Sequence, residues 1–237
     1  MTRRSFLASS LLLRSPANLR WVSTSIDGSA GSVNWPGLET AVSVGSILKP
    51  FLALAYLATH ASAPVLNCSG CWLPSGHGRQ DLSAALANSC NTYFLHLAAE
   101  LNRAALDRIC LQFDLIAPAR DWSAARLIGL GEGWPQTPSR LVRAFGTLGR
   151  DIVSAPQPVL AGMQRCAFTG TARALGFPCY AKTGTGVCCH SPSGAGDGYI
   201  VVLFPLGSPR HVLLVQQHNT TGAHAAESVV LLLKTIG

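Results

Sequence analysis

The last third of the chain constrains its fold most. Two apolar runs, Tyr199-Ile200-Val201-Val202-Leu203-Phe204 and His211-Val212-Leu213-Leu214-Val215, flank Gly207-Ser208-Pro209. Runs of that length, broken by turn residues, predict two strands joined as a hairpin. Residues 179–185 read as a further strand, and residues 223–236 as a closing amphipathic helix. Towards the other end, residues 21–25 and 30–33 read as short strands about an Asp27-Gly28 turn. The middle is different. Residues 47–59 are apolar almost all round, as in a buried helix. Further helices are expected after Asp81, as an N-cap, from Asn91, from Pro138 and over residues 158–166. Residues 63–79 and 129–138 read as loops. Strands at both ends with helices between them predict an α+β fold. The expected form is an antiparallel sheet with packed N- and C-terminal helices plus a mostly helical subdomain.

Composition narrows the class. The 237 residues are 48% apolar and only 12% charged, which suits one well-cored domain and excludes a disordered chain. The net charge of +7 is carried almost wholly by arginines scattered singly. Nucleic-acid binders concentrate basic residues on a stripe or run, so no nucleic-acid partner is expected. An anionic cell-wall polymer is compatible. Thr2-Arg3-Arg4-Ser5-Phe6-Leu7, a short apolar stretch and Ser15-Pro16-Ala17 predict an export signal of twin-arginine type over residues 1–17. The remaining domain is 18–237, exported and periplasmic or facing the cell wall.

Of eight cysteines, Cys68 and Cys71 form a C-x-x-C in a Gly/Pro-rich loop, and Cys188 and Cys189 are adjacent. In an exported chain Cys68 and Cys71 suit a local disulfide, and plain reduced thiols fit equally. Zinc needs a second ligand pair, and His77 is the one histidine close in sequence. No metal and no cofactor are therefore expected.

Three short strings carry the chemistry: Ser46-Ile47-Leu48-Lys49, Ser89-Cys90-Asn91 and Lys182-Thr183-Gly184. Each alone reads more simply as a helix cap, a snorkelling lysine or a strand end. Their order gives them weight, and so does lysine usage. Only Lys49, Lys182 and Lys234 are lysines among 18 basic residues. Lysine can lose its proton in a protein interior and arginine cannot. A serine hydroxyl needs a base within hydrogen-bond reach, and Ser46 and Lys49 lie one turn apart on one helix face. Burial and a second cation, Lys182, would lower the Lys49 pKa. Gly45 and Gly184 are expected to let a substrate approach the backbone. Pro50 should delete a helix bond to the Ser46 carbonyl, a local cost expected at a functional site. Ser89 can relay a proton, Asn91 can hold the lysine and an amide carbonyl, and Lys182, Thr183 and Thr185 suit a substrate carboxylate. The N–H groups of Ser46 and Thr185 are candidates for an oxyanion hole.

The S-x-x-K, S-x-N and K-T-G set resembles that of penicillin-binding proteins and serine β-lactamases. Residues 45–51, Gly76-His77-Gly78, Ala87-Asn88-Ser89-Cys90-Asn91-Thr92-Tyr93-Phe94, Gly131-Glu132-Gly133, Gly170-Thr171-Ala172 and Ala181-Lys182-Thr183-Gly184-Thr185 are similar to class B-type penicillin-binding transpeptidases. The likeness spans roughly residues 40–237. It implies a serine D,D-transpeptidase with Ser46, Lys49, Ser89, Asn91 and Lys182 as catalytic residues and Thr183, Gly184 and Thr185 binding substrate. It also implies peptidoglycan stem peptides and β-lactam antibiotics as ligands, and cell-wall synthesis proteins as candidate partners. No glycosyltransferase domain or N-terminal pedestal is evident, and Tyr199 stands where such proteins often have tryptophan. A D,D-carboxypeptidase and a non-catalytic muropeptide binder are alternatives. A β-lactamase is another, with Glu132 as its one acidic candidate for activating water, but Glu132 does not open the E-x-x-x-N arrangement of class A enzymes.

Overall fold

The computed structural model describes residues 19–28, 31–188 and 196–236, with side chains to 233. The export-signal reading of residues 1–17, and Cys189, lie outside the described residues. The strands are β1 (Leu19–Ser25), β2 (Gly31–Asn34), β3 (Val42–Ser43), β4 (Leu66–Cys68), β5 (Gly78–Gln80), β6 (Pro135–Gln136), β7 (Tyr180–Gly186), β8 (Asp197–Phe204) and β9 (His211–Gln217). The helices are α1 (Lys49–Leu57), α2 (Leu82–Ala87), α3 (Asn91–Ala99), α4 (Arg103–Gln112), α5 (Ala124–Leu127), α6 (Pro138–Arg150), α7 (Gln157–Phe168) and α8 (Gly222–Ile236).

Five strands form one antiparallel sheet in the order β2-β1-β9-β8-β7. The first two strands and the last three thus meet in one sheet, β1 against β9. Alternation along β8 and β9 explains why both read as continuous apolar runs. Ile200, Val202, Leu213 and Val215 face a core with Ala225, Ala226, Val229 and Leu232 of α8. Tyr199, Val201, Leu203, Val212 and Leu214 face the opposite core, shared with Phe51 and Phe145 of the helical layer. A strand buried on both faces cannot alternate with polar residues, and each such side chain contributes about 1.5–3 kcal/mol of burial. Among the described residues no helix precedes β1, and α8 is the terminal helix packed on the sheet.

The helical segment contains more than the sequence pattern exposes. The expected N-cap at Asp81 is present, its carboxylate accepting the Ala84 N–H at 2.7 Å. Helices α4 and α5, capped by Asn102 and Ser123, were not expected, nor was the β4–β5 hairpin inside the 63–79 loop. Strands of three residues are too short to display a period.

Candidate active site

The nucleophile candidate does not open a regular α-helix. Gly45–Leu48 form a 3-10 turn, and α1 begins at Lys49. This corrects the reading of Pro50. It lies in the first turn of α1, where its missing N–H deletes nothing, while the Ser46 carbonyl accepts the Lys49 N–H. The expected role of Gly45 also changes. Its φ is +56°, and a Cβ there would lie 2.2 Å from the Thr185 carbonyl oxygen. Glycine is required by the β7 backbone rather than by a ligand. Gly184 is likewise crowded, its would-be Cβ 2.2 Å from the Val44 carbonyl oxygen. These two glycines let the turn carrying Ser46 lie flush against β7.

A cleft of about 350 Å³ follows that seam. Ser46, Ser89, Asn91, Thr183, Gly184 and Thr185 all line it. All three strings therefore converge although they are far apart in sequence. Lys49 and Lys182 are fully buried beneath the wall. The Lys49 Nζ donates to Asn91 Oδ1 at 2.7 Å and to the Ser89 carbonyl at 2.9 Å. The Lys182 Nζ donates to Ser89 Oγ at 2.8 Å and to the Thr183 carbonyl at 2.7 Å. Burial, and then the neighbouring Lys182 charge, hold the Lys49 amine well below its ordinary pKa. Burial brings Lys182 down to about 8. Burial favours the neutral form of both amines. Ser89 has φ 53°, a left-handed backbone that costs a non-glycine residue about 1–2 kcal/mol. That turn aims its hydroxyl at Lys182 and its carbonyl at Lys49.

Sequence reasoning missed part of the lining. Trp72 reaches the cleft from the β4–β5 loop and donates its Nε1–H to the Asn88 and Ser89 carbonyls, both at 3.2 Å. Leu130 and Thr221 also line it. Thr171 bonds to Thr183 through their hydroxyls. Glu132 is not in the lining. Its side chain is 90% exposed and lies 3.9 Å from Arg126.

Beside the Ser89 wall, Cys68, Cys71, His77 and Cys90 bring four ligand atoms within 4.8 Å of one another. Three thiols and one imidazole are a donor set suited to Zn²⁺. The sequence reading saw only two of the thiols and the imidazole, and so expected no metal. Cys90 is the donor that only the fold supplies. All the cysteines among the described residues are free thiols, so no Cys68–Cys71 disulfide is present.

No protein-family model matches the sequence, and no curated protein sequence does. Solved structures match along nearly its whole length. The TP domain of Burkholderia pseudomallei penicillin-binding protein 3 aligns with a TM-score of 0.74 at 16% identity, covering 92% of this chain and 86% of that one. The transpeptidase domain of the FtsI4 D,D-transpeptidase from Legionella pneumophila aligns at 0.66 and 18% identity, covering 95% and 92%. Penicillin-binding protein PBP2 of Helicobacter pylori, in complex with MreC, aligns at 0.70 and 15%, covering 93% and 60%. The fold is that of penicillin-binding transpeptidase domains. On this transpeptidase-domain fold the sheet, the capping helix α8 and the helical layer fall where the sequence resemblance implies.

Proposed function

We propose that the protein is a serine D,D-transpeptidase acting on D-Ala-D-Ala peptidoglycan stem peptides through an acyl-enzyme. The observation that carries this reading is the pair of buried lysines, one on either side of Ser89, under a cleft lined by Ser46. An ordinary helix cap or strand end has no need of two desolvated amines. Lys49, neutral through burial, takes the Ser46 proton as the hydroxyl attacks the penultimate D-Ala carbonyl. The N–H groups of Ser46 and Thr185 receive the oxyanion. Ser89, bonded to Lys182, passes a proton to the leaving D-Ala amine. Asn91 positions Lys49 and the substrate amide. Thr183, Gly184 and Thr185 lie on β7, an edge strand of the sheet among the described residues, and bind the substrate's terminal carboxylate side. An acceptor amine then resolves the acyl-enzyme.

A β-lactam presents the same carbonyl and carboxylate, so it acylates Ser46 as well. The place of Glu132 outside the cleft lining speaks against fast β-lactamase turnover. We further propose export across the cytoplasmic membrane, where the wall substrate lies; no described helix is long and apolar enough to cross a membrane. A cell-wall synthesis protein is the partner class proposed, on the precedent of the H. pylori complex with MreC. The reading is tested by incubating the protein with an acyl-D-Ala-D-Ala peptide, with and without an acceptor amine, and following D-Ala release and the cross-linked product. Product that depends on the amine supports a transpeptidase. Release into water alone makes it a carboxypeptidase, and no release sinks the enzymatic reading.

A further inference from the structure

The four-donor cluster touches the proposed site through a short chain of contacts. Cys71 precedes Trp72 directly, and the Trp72 ring lies 5.1 Å from the His77 ring. The Trp72 indole and the Lys49 amine share one acceptor, the Ser89 carbonyl. Thr92, in the first turn of α3, donates to the Gly70 carbonyl at 2.8 Å, pinning the loop between Cys68 and Cys71 onto the Ser89-Cys90-Asn91 turn. Inside the cluster, His77 Nδ1 lies 3.3 Å from Cys71 Sγ and 3.7 Å from Cys68 Sγ.

We propose that Cys68 and Cys71 form a thiol–disulfide exchange site whose reduced state is held by a Zn²⁺-class cation shared with His77 and Cys90, and whose oxidised state unseats Trp72 from the cleft. The two states exclude each other geometrically. Sulfurs bound to one tetrahedral zinc stand roughly 3.7 Å apart, whereas a disulfide closes them to about 2.05 Å. The oxidant is a disulfide, either a small molecule such as oxidised glutathione or an oxidoreductase, as found in oxidising compartments. Cys71 is half-buried and Cys68 is buried, which sets the order of events. The Cys71 thiolate attacks one sulfur of the oxidant, forming a mixed disulfide and releasing one thiolate. The Cys68 thiolate then attacks the Cys71 sulfur, closing the Cys68–Cys71 bond and releasing the second thiolate. Two electrons pass to the oxidant. The cation leaves, and Cys90 takes a proton from solvent. Drawing the Cys71 sulfur onto Cys68 shifts the Cys71 backbone against the Thr92 pin, and Trp72, the next residue, loses its fixed place over the Ser89 carbonyl. Trp72 and the cluster are positioning groups and touch no reacting atom.

The readout through Ser46 rests on the acyl-transfer reading, so the test includes measurements independent of it. The full chain is purified under reductant, loaded with ZnCl₂, freed of reductant and treated with oxidised glutathione. Released zinc is followed with a chromogenic chelator, the disulfide by peptide mass spectrometry, and Ser46 by the rate of fluorescent-penicillin labelling. The expected result is equimolar zinc, released in step with Cys68–Cys71 formation, and labelling slowed about tenfold, the scale of lost support around a metal site. Dithiothreitol with zinc restores the rate, and Cys71→Ser makes labelling insensitive to glutathione. The proposal is overturned if zinc does not bind, if glutathione leaves zinc in place, or if the disulfide forms with labelling unchanged. If Cys71→Ser does not fold, the wild-type measurements decide alone. If Ser46 never labels, the acyl-transfer reading fails, while zinc release and disulfide mapping still decide the exchange site.

Discussion

The Lys182 ammonium nitrogen lies 2.8 Å from the Ser89 hydroxyl oxygen, with both side chains in the interior. This contact joins the third sequence string to the second and leaves the first, through Lys49, on the other side of the same serine. Lys182 reaches the Ser89 hydroxyl and Lys49 the Ser89 carbonyl, so the roles proposed for the two lysines are separable by mutation.

Lys49→Arg keeps the charge and removes the ability to be neutral. Acylation of Ser46 by a fluorescent penicillin is expected to fall by about 10²–10⁴, the usual share of a general base. Lys49→Met, closer in volume, should fall as far. A labelling rate within a few-fold of wild type in either variant would remove Lys49 from the mechanism.

Ser89 separates chemistry from backbone strain. Its left-handed φ suits glycine. Ser89→Gly is expected to be more stable than Ser89→Ala by about 1 kcal/mol, while both lose the hydroxyl and acylate slowly. Urea unfolding of the two variants measures the difference, and equal midpoints would mean the turn relaxes.

The rate of acylation should be bell-shaped in pH. Lys49 must be neutral, so the rate drops as pH falls through its lowered pKa. Lys182 carries its proton below about 8 and loses it above, so the rate also drops as pH rises past that value. The alkaline limb belongs to Lys182 and should vanish in Lys182→Met, whose remaining activity then follows Lys49 alone. Persistence of that limb would assign it elsewhere.

Gly45 and Gly207 both have positive φ, but only Gly45 is crowded, its would-be Cβ 2.2 Å from Thr185 while Gly207 meets nothing. Gly207→Ala should cost about 1 kcal/mol, within reach of a folded protein. Gly45→Ala should cost several-fold more and also separate the Ser46 turn from β7, abolishing labelling. Similar unfolding midpoints would contradict the close seam described for the site.

The motif strings were legible because each carries its chemistry locally: Ser46 and Lys49 share a turn, and Lys182 to Thr185 share a strand. The fold class was legible from β8, β9 and α8, whose apolar periods are long. Helix α5 and the β4–β5 hairpin were not, since four- and three-residue elements draw their stability from what they pack against. The glycine at 45 and at 184 stands out in the sequence, but only the tertiary structure shows that a Cβ at either would meet backbone of a neighbouring segment. Trp72 and Cys90 were missed as members of their clusters for the same reason. Nothing in a lone tryptophan or a cysteine within S-x-N announces a neighbour from another loop.

Ser46 is proposed as the acylated nucleophile. Intact-mass spectrometry of the purified protein after incubation with benzylpenicillin tests it most directly, with Ser46→Ala alongside. A persistent adduct of one penicillin is expected on the wild type, mapped to the Ser46 peptide, and none on the variant. An adduct on Ser46→Ala, or no adduct and no β-lactam turnover on the wild type, would contradict it.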